Sequence, residues 1–216
     1  MRRITIIAGH YGSGKSEISV HLAIHKKIDY IVDLDIINPY FRSRALQSVF
    51  DEYGIHLVES TIKGMLNSDM PYVSGEAAVP FVNEKITAIY DLGGTANGGR
   101  VLIQFVDRIK KIEDIDLLYV VNLYRPETAD TPRIINAISD LEGESQIKVT
   151  GLINNTNLMH YTTVEDVIEG ERVLTEVSEQ LGLPIVYTVI EESHQFEYPF
   201  KGEMIILKRL VANTWL

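Results

Sequence analysis

Gly9-His10-Tyr11-Gly12-Ser13-Gly14-Lys15-Ser16 constrains this chain more than any other stretch. Its spacing, G-x-x-x-x-G-K-[ST], is that of a phosphate-gripping loop, and the flanks supply the context the pattern needs. Arg3 to Ala8 is a short apolar run suited to a buried strand. Ser16 to Lys27 places Ile18, Leu22 and Ala23 on one face at helical spacing. Glycines let such a loop curl until several backbone N–H groups converge on an anion. The following helix adds its unpaired N-terminal N–H groups and the positive end of its dipole. Gly9, Gly12, Ser13, Gly14, Lys15 and Ser16 are therefore the candidate phosphate-binding residues. Lys15 serves as a mobile positive charge on the terminal phosphates, and the Ser16 hydroxyl as a ligand for Mg²⁺.

The apolar runs recur along the chain: Ile4–Ala8, Tyr30–Leu34, His56–Glu59, Ile86–Tyr90, Leu117–Asn122, Val149–Ile153 and Ile185–Ile190. They are continuous rather than alternating, as strands buried on both faces require. Helical patterns separate several of them. Thr131 reads as an N-cap before Pro132, ahead of Ile134, Ile138 and Leu141. Thr163 to Asp166 reads as a capping box, and Gly182 with Pro184 ends the helix it starts. The expectation is an α/β three-layer fold in one domain, 1–216, around a mostly parallel seven-stranded sheet. Ligands on such sheets sit at the carboxyl ends of the strands. Residues 61–85 lack periodicity; they read as an irregular connection with a short helix near Gly75–Val79, or as a lid or docking surface. Lys201–Leu216 reads as an amphipathic helix covering the sheet.

Two more strand ends carry carboxylates. Asp33 and Asp35 close the second run and share one side of it. Asp35 lies further toward the ligand edge and is the candidate for orienting an attacking water. Asp33 is the candidate for a structural or magnesium-linked role, and a helix cap near Asn38 is the plainer alternative for either. Ile86 to Asp91 has the form of a strand delivering a carboxylate to the metal, and Leu92-Gly93-Gly94 completes D-x-x-G. Asp91 would meet Ser16 or magnesium-bound water, and the Gly94 N–H the γ-phosphate. A glycine element held only by a triphosphate relaxes after hydrolysis, which is how a switch works.

After the sixth run stand Asn154-Asn155-Thr156-Asn157. Where guanine readers carry N-K-x-D, Asn155 and Asn157 offer amides, which can pair with adenine; turn contacts are the alternative. This favours ATP over GTP.

The chain has 216 residues, 45% hydrophobic, a net charge of −10 and no cysteine. That balance argues against a broad nucleic-acid surface, and the lack of cysteine excludes disulfides, thiolate metal sites and cysteine nucleophiles. No apolar run reaches membrane-spanning length, and the first residues lead directly into a strand. A soluble, cytoplasmic protein without membrane contact is the expectation.

Together these residues resemble the SIMIBI class of P-loop NTPases, the group of MinD/ParA ATPases, dethiobiotin synthetase and CobQ/CobB-like proteins. The resemblance is strongest at 9–16, 30–42 and 91–94. It implies Mg-ATP binding, slow ATPase activity and a nucleotide-dependent homodimer. It makes Asp35 (or Asp33) the water-orienting residue and Asn154 an adenine contact. The deviant Walker A motif of MinD/ParA proteins carries a further lysine where this chain has His10. The lysine that reaches across their dimers is thus missing, and Arg42, Arg44 or Arg100 are candidate substitutes. Three functions fit: an ATPase acting as a switch on a protein partner, a small-molecule kinase or ATP-dependent ligase, and a non-catalytic nucleotide-binding adaptor.

Overall fold

The computed structural model describes residues 1–35, 44–59, 74–94, 98–194, 196 and 198–208. Eight strands form one sheet: β1 (Ile4–Gly9), β2 (Tyr30–Leu34), β3 (His56–Glu59), β4 (Ala88–Leu92), β5 (Ile115–Val121), β6 (Gly151–Asn154), β7 (Ile185–Glu191) and β8 (Glu203–Leu207). Their order is β3-β2-β4-β1-β5-β6-β7-β8, and every neighbouring pair is parallel. The helices are α1 (Lys15–His25), α2 (Arg44–Tyr53), α3 (Val79–Val82), α4 (Gly98–Val101), α5 (Val106–Ile109), α6 (Thr131–Ser145) and α7 (Val164–Leu181).

Side-chain alternation explains the three layers. Ile4, Ile6 and Ala8 of β1 enter one core with Tyr90, Tyr119, Ile134 of α6 and Leu174 of α7. Ile7 points the other way, into a second core with Ile18 and Leu22 of α1 and Phe50 of α2. Both faces of the sheet are covered, so the strands read as unbroken apolar runs. Burying an aliphatic side chain of this size contributes roughly 1.5–3 kcal/mol. Tyr90 shows how a polar group is tolerated there: its ring stacks on Phe81 at 4.8 Å, and its hydroxyl donates to the Ala77 carbonyl at 2.7 Å. That bond fixes the 3-10 turn Gly75–Ala78, which occupies the place of the short helix expected near Gly75–Val79.

Three expectations need correction. The sheet has eight strands, not seven, because Glu203–Leu207 pairs with β7 where an amphipathic helix was expected. Ile205 and Leu207 face the core while Met204 and Ile206 stay exposed, an alternation that belongs to an edge strand. Helix α6 begins one residue earlier than anticipated. Its N-cap is Asp130, whose side chain accepts from the Arg133 N–H, and Thr131 is already helical. By contrast the Thr163–Asp166 capping box forms reciprocally, and Gly182 ends α7 in the left-handed conformation. Of the 61–85 stretch, residues 61–73 lie outside the described residues, as do 36–43 with Asn38 and Arg42.

Candidate phosphate-binding site

All strands being parallel, their carboxyl ends share one edge. The register sets Ile7 beside Asp91 and Asp33 beside Asp91, so the ends of β1, β2 and β4 meet. Between β1 and α1 the chain makes its loop. Gly12 (φ +73°) and Gly14 (φ +90°) take left-handed conformations that L side chains rarely adopt. Gly14 is also the N-cap of α1, where no side chain caps the helix. No capping side chain thus stands between a ligand in the loop and the N-terminus of α1. Gly9 ends β1 against the Val120 carbonyl, with no room for a side chain.

Lys15 is buried and folds back over the loop, its Nζ donating to the His10 carbonyl at 3.1 Å. Burial pulls the ammonium below its ordinary pKa, while the carboxylates of Asp91 and Asp35 oppose that fall. Ser16 Oγ donates to Asp91 Oδ2 at 2.5 Å, and Ser19 Oγ, one turn on, donates to Oδ1 at 3.1 Å. Asp91 is fully buried. Burial pushes its carboxyl up to about 6, with Asp35 adding to the rise and Lys15, Ser16 and Ser19 holding it down. Asp33 Oδ1 accepts from the backbone N–H of Asp35 at 2.9 Å, so Asp33 fixes the chain that carries Asp35. Gly93 packs on Asp35, within 3.5 Å of its Cα for any added Cβ. At Gly94 a Cβ would come within 2.7 Å of Lys15 Nζ and 2.6 Å of the Tyr11 nitrogen. The D-x-x-G turn thus closes directly over the loop.

The structure therefore brings Gly9, Gly12, Ser13, Gly14, Lys15, Ser16, Asp33, Asp35, Asp91 and Gly94 to one place. Asn154 is the exception. It is fully buried, its amide nitrogen donating to the Val167 carbonyl at 3.0 Å and its oxygen accepting from the Thr156 N–H at 3.1 Å. Both ends of the side chain are spent beneath α7, which leaves the adenine contact expected of Asn154 without a free group. Asn155 reaches the site instead, its Nδ2 donating to the Ser13 carbonyl at 2.6 Å. Asn157 donates to the Asn155 carbonyl at 2.8 Å and accepts from the Met159 N–H at 3.3 Å. These are loop contacts, the plainer of the two sequence readings for Asn155 and Asn157. Arg100 is exposed on α4.

Two residues from the loop after β5 were not anticipated. Arg125 Nε donates to the Gly12 carbonyl at 2.8 Å, and its guanidinium lies close against that glycine. Glu127 Oε2 stands 3.2 Å from His10 Nδ1, an ion-pair distance once the imidazole is protonated but off the line of a hydrogen bond. Neither position has a periodicity or motif that sequence inspection could have used.

The donor set fits a phosphate chain: an open helix N-terminus, a buried ammonium, and a buried Ser13 hydroxyl with no hydrogen-bond partner among the described residues. For magnesium the fit is narrower. No group of three or more carboxylates or imidazoles stands together among the described residues. An ion here would draw on Ser16, Asp91 and phosphate oxygens, as magnesium commonly does. No described helix is long and apolar enough to cross a membrane.

The sequence matches no protein-family model and no curated protein. Solved structures do match. The signal recognition particle receptor FtsY from Elizabethkingia anophelis aligns with 86% of this chain at 17% identity and a TM-score of 0.51. Cell division protein FtsY from Thermotoga maritima covers 87% at 16% identity and 0.53. Chloroplast FtsY from Physcomitrella patens covers 87% at 17% identity and 0.56. This chain spans only 57%, 61% and 58% of those chains in turn, less than two thirds of their length. At such identities the likeness speaks for the fold alone. With its first strand feeding a phosphate loop at the middle of a parallel sheet, the chain shares the α/β P-loop fold of these structures.

Proposed function

We propose that the chain is a magnesium-dependent ATPase that works as a nucleotide-controlled switch. The observation that carries this reading is the coupled trio at the head of α1: Lys15 buried over an uncapped loop, and Ser16 bonded to a buried Asp91. Such a cluster of desolvated charge at strand ends is what functional sites accumulate. In this reading the loop amides and Lys15 hold the β- and γ-phosphates, and Lys15 leaves the His10 carbonyl to do so. Ser16 and Asp91 hold magnesium, which supplies charge neutralisation when bound. Asp35, steadied by Asp33, accepts a hydrogen bond from the attacking water. The water oxygen bonds to the γ-phosphorus as the bond to the β–γ bridging oxygen breaks. Its electron pair leaves on the diphosphate, and the water protons pass to the released phosphate and solvent. Gly94 closes on Lys15 and Tyr11, so the D-x-x-G turn would sense whether Lys15 is engaged and report it to a protein partner.

ATP stays the proposed nucleotide because the N-K-x-D guanine pattern is absent, although the amides first assigned to adenine are otherwise occupied. One matching FtsY structure is described as a complex with GDP, which makes GTP the competitor to test. A cytoplasmic site of action and the chain acting as one nucleotide-binding unit complete the proposal. The test is calorimetry with Mg-ATP and with Mg-GTP, followed by phosphate release. Wild type should bind one triphosphate, and Lys15→Ala should lower turnover by about 10²–10³, the range for losing one preorganised charge contact. Absence of binding to both triphosphates rejects the proposal. Turnover only with a small molecule that becomes phosphorylated favours a kinase, and binding without turnover an adaptor.

A further inference from the structure

The missing second lysine leaves a question of charge that the loop after β5 answers. A P-loop site must offset several negative charges on a triphosphate. Lys15 faces two carboxylates, Asp91 and Asp35, which take up part of its own charge. Position 10, where a second cation would stand, holds a histidine 3.2 Å from Glu127. Arg125 is placed to make up the difference. Its Nε is tied to the Gly12 carbonyl at 2.8 Å, and an added Cβ on Gly12 would come within 3.1 Å of its Cζ and Nε. Glycine at 12 suits the backbone turn, and its lack of a side chain leaves room for the guanidinium against the loop.

The arm that carries Arg125 is rigid. Asn122 Oδ1 accepts from the Tyr124 N–H at 3.0 Å, and Thr128 Oγ1 donates to the Asn122 carbonyl at 2.8 Å. Arg133 donates to the Pro126 carbonyl at 2.9 Å. Arg2, Arg133 and Arg172 each pair with a carboxylate. Arg125 has none within ion-pair distance among the described residues, and Gly12 is its hydrogen-bond partner there. An uncompensated guanidinium resting on an anion-binding loop, in a protein of net charge −10, is positive charge held in reserve for a ligand.

Resting on the reading above, we propose that Arg125 is a second cation of the nucleotide site, supplied in cis. Its Nε keeps the hold on Gly12 while its remaining N–H groups meet the phosphate chain and stabilise the charge that gathers on the departing diphosphate. Hydrolysis then needs no lysine from a second copy. The experiment compares wild type, Arg125→Gln and Arg125→Lys, each checked for an unchanged thermal unfolding midpoint. Binding of ADP and GDP is measured by calorimetry, and phosphate release from Mg-ATP and Mg-GTP is followed over a range of protein concentrations. Arg125→Gln should lose about 10²–10³ in kcat, bind ADP and GDP more weakly, and recover turnover when guanidinium is added; Arg125→Lys should retain a part of both. Wild-type turnover per molecule should not vary with protein concentration, and mixing Arg125→Gln with Lys15→Ala should restore nothing. If diphosphate affinity and folding fall while kcat holds, Arg125 is only a tether and the inference is wrong. Recovery on mixing would mean that the cation acts in trans, which also overturns it. If wild type binds no nucleotide, the underlying reading has failed, a result separable from these.

Discussion

Replacing Asp91 by asparagine should make the nucleotide-free protein more stable and the liganded site weaker. The argument starts from the pKa. Asp91 is fully buried, and its carboxyl titrates near 6 in the folded protein against 3.8 in an unfolded chain. Between those values the folded state binds more protons than the unfolded one, so stability falls as pH rises. The penalty is absent below pH 3.8 and complete above about 6. A shift of this size corresponds to about 3 kcal/mol, from about 1.4 kcal/mol per pKa unit. Asparagine resembles the neutral carboxyl: its oxygen can still accept from Ser19, and its amide can donate to the Ser16 hydroxyl. Asp91→Asn should therefore gain up to about 3 kcal/mol at pH 7.5, and nothing at pH 4. Lys15 is already included, since its field is part of what sets the value near 6. The assay is urea denaturation of both proteins at pH 4, 5, 6 and 7.5, without nucleotide and with chelator. A stability difference that does not change with pH would refute the reasoning, and so would a variant less stable than wild type at pH 7.5. The same variant should bind Mg-triphosphate more weakly, because the group that loses its charge is the one proposed to face the metal.

Asn155→Ala strips the Ser13 carbonyl of its donor, and a buried acceptor left unpaired costs about 1–3 kcal/mol; a thermal scan should show the loss, with weaker triphosphate binding in calorimetry. Gly14→Ala should be far worse for binding than Gly182→Ala. Both glycines have positive φ, but only at Gly14 does a Cβ collide with a neighbour, the Asn155 amide, whereas nothing lies within 4 Å of Gly182. Gly182→Ala should cost about 1 kcal/mol of stability and leave nucleotide affinity alone. His21 stacks on His25 at 4.0 Å, and burial, helped by His25, holds it near 4. Its unfolded value is higher, so its contribution is full above about 6.5 and is lost as pH falls toward 4. Discounted for partial solvent access this amounts to about 1–2 kcal/mol, and His21→Phe should flatten that limb of a pH–stability curve in the direction opposite to Asp91→Asn.

The six inner strands were legible because burial on both faces writes itself as unbroken apolar sequence, and β3, at one edge, was read with them although it is only partly buried. Glu203–Leu207 was not, since an edge strand has a covered face and an open one, and Met204 and Ile206 on the open face suit a helix stripe as well. The loop, Lys15, Ser16, Asp33, Asp35, Asp91 and Gly94 were legible because short motifs fix their spacing and the parallel sheet brings strand ends together. Asn154 and Asn155 exchanged places for a geometric reason. Asn154 is the last residue of β6 and turns under α7, while Asn155, the first beyond it, turns toward Ser13. Alternation decides this, and a sequence does not announce where a strand stops. Arg125 lay beyond reach because its relation to Gly12 spans 113 positions and follows from β5 lying beside β1.

That adjacency has a wider consequence. The site is made of contacts from the ends of different strands: Asp91 near the end of β4 with Ser16 and Ser19, Arg125 after β5 with Gly12, and Asn155 after β6 with Ser13. Each lands on the phosphate loop or the first turns of α1, so the loop is shaped by three neighbours and not by its glycines alone. A free glycine loop would lose much conformational entropy on closing around an anion. Here that ordering is achieved during folding, and the desolvated Asp91 and Lys15 are part of its cost. A ligand that meets Lys15, and a cation that meets Asp91, relieve both strains together. Binding of the triphosphate and of the metal should accordingly be cooperative, with magnesium adding more affinity for a triphosphate in wild type than in Asp91→Asn. Equal magnesium enhancement in the two proteins would show that the buried carboxylate is not what links them.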